Sequence, residues 1–238
     1  MEKRAQLFLL PYAGGNAFSF YKVSRFIDSR IEVISVEYAG RGTRESDSLI
    51  SNYDLFLEDV VSFIKARRNR KLPFSILGYS LGCPISYDIV VNKMLQEDPK
   101  YIFFCAEGSL KKIGIEENVV HLNKKTFLSK MIELGGIDER FIENQDLLDS
   151  ILPIIWNDFS VFTQFRCCNK PINIDASVIY SPKDKSCVFM DEWNEIVKGE
   201  LTYSEIGESH FFLNKQFREF AQIINSKLEF LISGDMEK

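Results

Sequence analysis

Short apolar runs alternate with longer amphipathic segments between Ala5 and Ala106. The runs are rich in β-branched and aromatic residues and end at glycine, proline or polar clusters, which is typical of buried strands. They predict strands at Ala5–Leu10, Ile31–Tyr38, Phe74–Leu77 and Tyr101–Ala106. Apolar residues at helical spacing predict helices at Ala17–Ile27, Tyr53–Ala66 and Leu81–Leu95. This alternation predicts an α/β protein with a mostly parallel sheet and helices on both faces.

The pattern changes between residues 108 and 171, where no run predicts a strand. Helical spacing there predicts helices at Lys125–Leu134, Ile137–Asn144 and Gln145–Phe165. Alternation then returns, with strands at Ala176–Tyr180 and Leu201–Ile206 and helices at Phe189–Val197 and Asn214–Ile232. We therefore predict one α/β core formed by residues 1–107 and 172–238, with residues 108–171 as a helical insertion.

Composition and charge exclude several classes of protein. The 238 residues are 45% hydrophobic and 26% charged, which is ordinary for a soluble globular chain. The net charge is -5, and the one basic run, Lys65–Lys71, more naturally complements a helix C-terminus than binds phosphate. We therefore expect no nucleic-acid partner.

The N-terminal segment and the cysteines bear on location and metal binding. The apolar segment before Pro11 is too short for a signal peptide or a membrane span, so we expect a cytoplasmic protein with no membrane contact. The five cysteines are an odd number without CxxC spacing, which argues against a disulfide framework and a structural zinc site. We interpret them as free thiols and expect no bound metal.

The segment Gly78-Tyr79-Ser80-Leu81-Gly82 matches the G-x-S-x-G pattern between a predicted strand and a predicted helix. In that setting the pattern is typical of a nucleophile elbow, which exposes a serine hydroxyl at the end of a sheet. Its Oγ lies at a helix N-terminus, where backbone N–H groups favour developing negative charge. The alternative is an ordinary strand-to-helix turn rich in small residues.

A serine hydroxyl is a weak nucleophile until a base takes its proton, and histidine is the usual base. Of the two histidines, His210 follows the last predicted strand and His121 lies in the insertion. Because the elbow fold places serine, acid and histidine in that order along the chain, His210 is the candidate base. We interpret His121 as a surface or insertion residue, with lining of a substrate channel as the alternative.

The acid that orients the histidine should follow a strand between Ser80 and His210. Asp184 lies just past the predicted strand Ala176–Tyr180 and is our candidate, although it could also serve as a turn or capping residue. Asp158 in the insertion is the more serious rival, and Asp191 falls inside a predicted helix.

An oxyanion hole needs two N–H groups directed at the tetrahedral intermediate. The amide of Leu81, directly after the serine, is one candidate. The segment Pro11–Gly15, "PYAGG", supplies the other through the amide of Ala13 or Tyr12. Together these parts specify acyl transfer to serine followed by hydrolysis.

Over residues 7–232 the chain resembles the stand-alone type II thioesterases that accompany nonribosomal peptide and polyketide synthases, in the α/β-hydrolase superfamily. The segments that carry the resemblance are "LFLLPYAGG", "GRGTRE", "GYSLG", "HLNKKTFLSKMIELGG", "LPIIWNDF", "SPKDK" and "GESHFFL". The resemblance implies an α/β-hydrolase fold, a triad of Ser80, Asp184 and His210, and an oxyanion hole from the amides of Ala13 and Leu81. The chain departs from the family pattern at Tyr79, Ala39 and Trp156, where histidine, proline and arginine are usual.

The resemblance also implies a substrate and a partner. The expected reaction is hydrolysis of aberrant or stalling acyl groups from the phosphopantetheine thiol of acyl or peptidyl carrier protein domains. The enzyme would need no cofactor of its own, would act as a monomer, and would use the helical insertion as a lid over the acyl chain. The net charge gives no attraction to an acidic carrier protein, so docking requires a local basic patch. Candidates for that patch are Arg41, Arg44, Lys111, Lys112, Lys124 and Lys125.

Two other functions remain open from the residues alone. A small-molecule esterase or an acyltransferase would use the same triad. A hydrolase-like binding module without catalysis is a third possibility, although all three triad positions are filled.

Overall fold

The computed structural model describes residues 2–113, 123–133 and 145–233. Within them, six strands form one parallel sheet in the order β2-β1-β3-β4-β5-β6. The strands are β1 (Ala5–Leu10), β2 (Ile31–Ser35), β3 (Phe74–Tyr79), β4 (Ile102–Cys105), β5 (Ala176–Tyr180) and β6 (Leu201–Glu205). All six strands predicted from the sequence are present. Apolar runs of this length between turn residues predict strands reliably.

Eight α-helices are assigned in the same residues. They are α1 (Tyr21–Ser24), α2 (Tyr53–Arg67), α3 (Gly82–Val91), α4 (Lys124–Glu133), α5 (Gln145–Phe162), α6 (Trp193–Ile196), α7 (Phe212–Lys215) and α8 (Phe217–Ile232). Short 3-10 helices occur at Ala17–Phe20, Gly42–Arg44, Leu110–Lys112 and Met190–Glu192. The predicted helix Ile137–Asn144 lies outside the described residues.

Three predicted helices are wrong as continuous elements. The segment predicted at Ala17–Ile27 is a 3-10 turn followed by α1, which ends at Ser24. The segment predicted at Phe189–Val197 is likewise a 3-10 turn followed by the single-turn helix α6. The closing helix is divided at Gln216 into α7 and α8. In each case the apolar residues are spaced as in one continuous helix, but a turn interrupts the helix.

Alternation along β1 separates two hydrophobic cores. Phe8 and Leu10 face the core under α2 and α3, whereas Leu7 and Leu9 face the core under α1 and α8. All four side chains are fully buried. Since successive residues of a strand point to opposite faces, a central strand buried on both sides is apolar at most positions.

The carboxyl ends of all six parallel strands lie at one edge of the sheet. In open α/β sheets this edge carries the loops that bind ligands. The loops after β1, β3, β4, β5 and β6 therefore meet there, and they contain the residues singled out from the sequence.

Helices α4 and α5 pack on each other through their own small core, formed by Phe127, Met131, Leu148, Leu152 and Ile155. The C-terminal half of α5 is also tied to the main body, since Asn157 Nδ2 donates to Ile50 O at 2.9 Å and Gln164 Nε2 donates to Ser51 O at 2.8 Å. Pro153 lies inside α5, between Leu152 and Ile155 of this small core. The division of the chain into a core and an insertion at residues 108–171 stays a prediction.

No helix in the described parts of the chain is long and apolar enough to cross a membrane.

Candidate active site

Ser80 stands at a tight turn between β3 and α3. Its φ of 50° lies in the left-handed region, which an L-residue rarely adopts and which marks local strain. Two hydrogen bonds hold this backbone: Ser80 N–H donates to Cys105 O at 2.8 Å, and Ser80 O accepts from Cys83 N–H at 2.7 Å. The predicted elbow geometry is present.

The two glycines of the elbow allow β3, α3 and β1 to approach at backbone distance. A Cβ on Gly78 would lie 2.3 Å from Gly82 O, and a Cβ on Gly82 would lie 2.4 Å from Leu10 O. Both contacts are with backbone atoms, which cannot move aside as a flexible side chain could. The motif glycines are therefore steric requirements of this turn.

His210 and Asp184 form a close pair beside the elbow. His210 Nδ1 lies 2.7 Å from Asp184 Oδ2, and their side chains are 11% and 1% exposed. Ser186 adds two hydrogen bonds to Asp184 Oδ1, from its amide at 3.0 Å and its hydroxyl at 2.7 Å. Burial alone would raise the pKa of Asp184, but the hydrogen bond from His210 and those from Ser186 outweigh it, so this pKa is lowered. Asp184 is held as a carboxylate.

Ser80 and His210 line one cavity of about 30 Å³. The remaining lining residues come from the segment after β1, from the residue after His210 and from α4 and α5; they are Tyr12, Ala13, Phe211, Met131, Ile155 and Phe159. Asp184 stands behind His210, on the imidazole nitrogen opposite the one available to a serine. The structure thus brings together all three side chains singled out as a triad.

The segment Pro11–Gly15, here named the glycine loop, lies above Ser80 at the end of β1. Ala13 lines the cavity, and Leu81 directly follows the serine. Neither amide N–H donates to another atom of the described chain. Gly14 has φ of +81°, and a Cβ there would lie 2.5 Å from Ile155 Cγ1 of α5. The loop therefore packs directly against α5.

The rivals to Asp184 have other surroundings. Asp158 is fully buried and pairs with Arg41, whereas the partner of His210 Nδ1 is Asp184. Asp191 lies on the exposed surface in a 3-10 turn. His121 falls outside the described residues.

Arg41 was expected to belong to a docking patch, and that expectation is wrong. Its side chain is 3% exposed because both terminal guanidinium nitrogens bind Asp158. Of the other candidate cations, Arg44 pairs with Asp59 at 2.8 Å, and Lys111 pairs with a glutamate. The side chains of Lys124 and Lys125 are not described.

Tyr79 supports the histidine from below. Its side chain is fully buried among Phe20, Phe212 and Phe220, and its hydroxyl donates to the backbone oxygen of His210. Tyr79 is not among the residues that line the cavity. Tyr79, which departs from the family pattern, therefore contacts the backbone of His210. Its position next to Ser80 in the sequence did not indicate this contact.

Glu107 is a second carboxyl near the site that the sequence analysis missed. It follows β4 at the same sheet edge and is 7% exposed. Burial raises its pKa to about 8, and the neighbouring charge of Asp184 acts in the same direction. Its position after a predicted strand was a usable signal, but nothing in the sequence indicated that it would be buried without a cation.

All five cysteines are free thiols, as interpreted from the sequence. Cys83 and Cys105 are buried beneath the elbow, where burial raises their pKa. Among the residues described, no group of three or more histidine, cysteine, aspartate or glutamate side chains is placed to hold a metal ion.

Comparison with known proteins places these features in a family. The family model of the thioesterase domain matches residues 5–228. The gramicidin S biosynthesis protein GrsT of Aneurinibacillus migulanus is 25% identical over 235 residues, which span 97% of this chain and 91% of that protein. The thioesterase PikA5 of Streptomyces venezuelae is 24% identical over 230 residues, which span 94% of this chain and 80% of its own.

The fold is also found in solved structures. ClbQ, from the colibactin NRPS/PKS pathway, superposes with a TM-score of 0.88 at 23% identity, covering 98% of this chain and 100% of that one. The architecture is that of the α/β-hydrolase fold, as the resemblance implied.

Glu107→Gln tests the buried carboxyl. Between its ordinary pKa of 4.5 and about 8, the folded state keeps the proton that the unfolded state loses. The free energy of unfolding therefore falls as pH rises through this window, and glutamine removes that dependence. We expect Glu107→Gln to be more stable than the unaltered protein at pH 8, by about 1–3 kcal/mol. Urea unfolding at pH 5 and pH 8 measures this, with the exposed Glu58→Gln as control. Parallel pH dependences in the unaltered protein and Glu107→Gln would contradict it.

Tyr79→Phe tests the link to His210. The ring keeps its packing, but the backbone oxygen of His210 loses its donor, at a cost of about 1–3 kcal/mol. We expect a lower midpoint of thermal unfolding and a lower kcat for thioester hydrolysis. Tyr101→Phe is the matched control, because it removes a buried hydroxyl contact with Ser177 Oγ (2.8 Å) at the other end of the sheet. Equal kcat values in both variants would show that Tyr79 does not position the histidine.

Proposed function

The chain belongs to the thioesterase-domain family and is a thioester hydrolase, and on this premise we propose that it acts on acyl groups attached to carrier proteins. The acyl or peptidyl group would be held as a thioester on the phosphopantetheine of a carrier domain. Its removal would clear aberrant or stalling groups from a peptide or polyketide synthetase. The name of GrsT, a gramicidin S biosynthesis protein, and the origin of ClbQ in an NRPS/PKS pathway support this substrate class.

The observation that carries the proposed chemistry is the pair formed by His210 and Asp184 in the cavity of Ser80. With Nδ1 of His210 bound at 2.7 Å to a carboxylate, the imidazole carries its proton there and leaves Nε2 as the base. The buried, hydrogen-bonded Asp184 stabilises the imidazolium that forms when Nε2 takes a proton.

In the first half-reaction Ser80 Oγ attacks the thioester carbonyl carbon while His210 Nε2 takes the hydroxyl proton. The carbonyl oxygen becomes an oxyanion, which in this proposal the amides of Ala13 and Leu81 stabilise. The carbon–sulfur bond then breaks, and His210 returns its proton to the thiolate. The products are a free phosphopantetheine thiol and an acyl ester of Ser80.

In the second half-reaction water attacks the ester carbon, again with His210 Nε2 as the base. The same two amides receive the second oxyanion. Collapse returns the proton to Ser80 Oγ and releases the carboxylic acid. Every proton and electron pair is accounted for by side chains and backbone of this chain, so the proposed reaction uses no cofactor beyond the phosphopantetheine of the substrate.

The cavity beside Ser80 has room for about one water molecule, so an acyl group enters only when lid residues move aside. Met131 of α4 and Ile155 and Phe159 of α5 line the cavity together with the serine. A bound acyl group would separate these side chains and pack against them in place of their present contacts with one another.

The proposed carrier contact does not use Arg41, which is buried. Arg44, Lys111 and Lys112 each lie close to a carboxylate, so their charges are partly neutralised. We keep the expectations of a monomer and of a cytoplasmic location, which gel filtration and cell fractionation would test.

Ser80→Ala tests the nucleophile and the substrate class together. We expect a loss of about 10⁴-fold or more in kcat/KM with the fold retained, because only residual catalysis by the remaining groups survives. The unaltered enzyme and the variant are given acyl carrier protein, acyl-N-acetylcysteamine and a p-nitrophenyl ester of the same acyl group. A preference for the simple ester would instead favour an esterase, and near-normal activity of the variant would reject Ser80.

Asp184→Asn tests the acid. An amide at this position cannot stabilise the imidazolium and favours the wrong tautomer, so we expect a loss of about 10⁴-fold in kcat. Asp191→Asn, a matched change on the exposed surface, should leave kcat unchanged. A smaller loss in Asp184→Asn than in Asp158→Asn would assign the acid to the lid instead.

A further inference from the structure

The glycine loop is held by three side chains that lie outside it. They belong to the segment after β2 and to α5, and they bind three backbone groups of the loop. The contacts are Tyr38 Oη donating to Pro11 O at 2.9 Å, Gly14 N–H donating to Asp158 Oδ2 at 2.7 Å, and Arg41 Nη1 donating to Gly15 O at 3.3 Å. The conformation of this loop is therefore fixed by residues distant in sequence.

Asp158 is the centre of this arrangement. Its carboxylate accepts both terminal nitrogens of Arg41, one of them at 2.7 Å, together with the amide of Gly14. The side chain of Asp158 is 0% exposed and that of Arg41 is 3% exposed. Arg41 also lies over the ring of Tyr38, 5.4 Å from its centroid. One carboxylate thus connects the lid helix α5, the segment after β2 and the glycine loop.

The stability of the fold does not explain this ion pair. Taking two charges out of water costs several kcal/mol for each ion, and apolar residues of similar volume often serve a fold as well or better. The pair is also imperfect, since the buried Nε of Arg41 has no partner among the described residues. This ion pair also accepts a hydrogen bond from the amide of Gly14 in the glycine loop, which points to a role in placing that loop.

The direction of the Gly14 amide indicates how Asp158 would place the loop. Ala13 lines the cavity of Ser80, whereas neither Gly14 nor Asp158 does. Holding the Gly14 N–H on Asp158 directs it away from the cavity and leaves the amide of Ala13, a residue that lines the cavity, as the candidate donor. Without an acceptor at residue 158, the peptide group between Ala13 and Gly14 loses the hydrogen bond that fixes its orientation.

We propose that Asp158, held by Arg41, is a positioning residue of the oxyanion hole. It acts through the glycine loop and touches neither the acyl group nor the nucleophile. This proposal rests on the proposed function, because it takes the amide of Ala13 as an oxyanion donor. It also makes α5 a structural part of the catalytic site as well as a cover over it.

The double variant R41M/D158L tests this role. It removes the acceptor of the Gly14 amide without leaving an unpaired buried charge, so the fold is preserved. We expect kcat for an acyl-N-acetylcysteamine thioester to fall about 10²-fold, the order found when an oxyanion donor is lost. KM should stay within about threefold, since the donor acts mainly in the transition state. A folded R41M/D158L with the kcat of the unaltered enzyme would overturn the proposal.

The double variant R41Q/D158N is the matched rescue. It removes the same two charges but keeps an amide oxygen at residue 158 that accepts from Gly14 N–H. At equal thermal stability we expect its kcat to lie within about tenfold of the unaltered enzyme. Equal kcat values in the two double variants would assign the pair a merely structural role and overturn the proposal. If R41M/D158L does not fold, Asp158→Ala, which also removes the acceptor of the Gly14 amide, is measured at low temperature, and unchanged kcat in that variant would likewise overturn the proposal.

Asp59→Asn separates positioning from general loss of stability. It breaks the ion pair between Arg44 and Asp59, which lies in the same region but does not contact the glycine loop. We expect this variant to lose stability and keep its kcat; a loss of kcat equal to that of R41M/D158L would overturn the proposal. The proposed function is judged separately by the unaltered enzyme and Ser80→Ala. If Ser80→Ala loses activity while R41M/D158L keeps the kcat of the unaltered enzyme, only the positioning role is rejected and the proposed function stands.

Discussion

The close approach of β3, α3 and β1 at the elbow is the constraint on which the rest of the site depends. Gly78 and Gly82 allow backbone contact there, and the turn between them forces Ser80 into a left-handed conformation. Such strain costs about 1–3 kcal/mol. It is sustained because β3 lies in the middle of the sheet, with buried cores on both faces. The hydroxyl then stands above the sheet edge where the other strands deliver their loops.

Three buried carboxyls near this edge have three different environments. Asp184 receives hydrogen bonds from a histidine and a serine, which lower its pKa. Glu107 forms no ion pair with the described residues, and burial raises its pKa to about 8. Asp158 is paired with Arg41. Identical or nearly identical groups thus serve as an orienting carboxylate, a buried acid that keeps its proton at neutral pH, and a structural anion. The difference lies in the partner that each one meets.

Much of the fold and the centre of the site could be predicted from local sequence. The central strands β1, β3 and β4 could be predicted because a strand buried on both faces is apolar at most positions. Ser80 and His210 could be predicted because the elbow motif and the chain order constrain them. The continuous helix predicted from Ala17 was wrong, since residues Ala17–Phe20 form a 3-10 turn and α1 ends at Ser24. Apolar spacing alone does not distinguish a 3-10 turn followed by a short helix from one continuous helix.

The contacts that complete the site join residues far apart in the chain, and no local pattern reports them. Arg41 meets Asp158 across 117 positions, and Tyr79 meets His210 across 131. Sequence reasoning placed Arg41 on a loop surface because isolated arginines in loops are usually solvated. The acidic partner that buries it is on a lid helix, whose placement over the loop follows only from tertiary packing.

Pro153 divides α5 into halves with different attachments, and this has a consequence for how specificity can change. A proline inside a helix removes one backbone hydrogen bond and lowers the resistance to bending at that point. The half after Pro153 carries Asp158 and is hydrogen-bonded to the main body, and it also packs with α4, because Trp156 and Phe159 contact Phe127. The half before Pro153 contributes Leu148 and Leu152 to the same small core. Substitutions in this core would therefore act on the lining of the cavity and on the anchor of the glycine loop together, so that neither can be exchanged independently of the other.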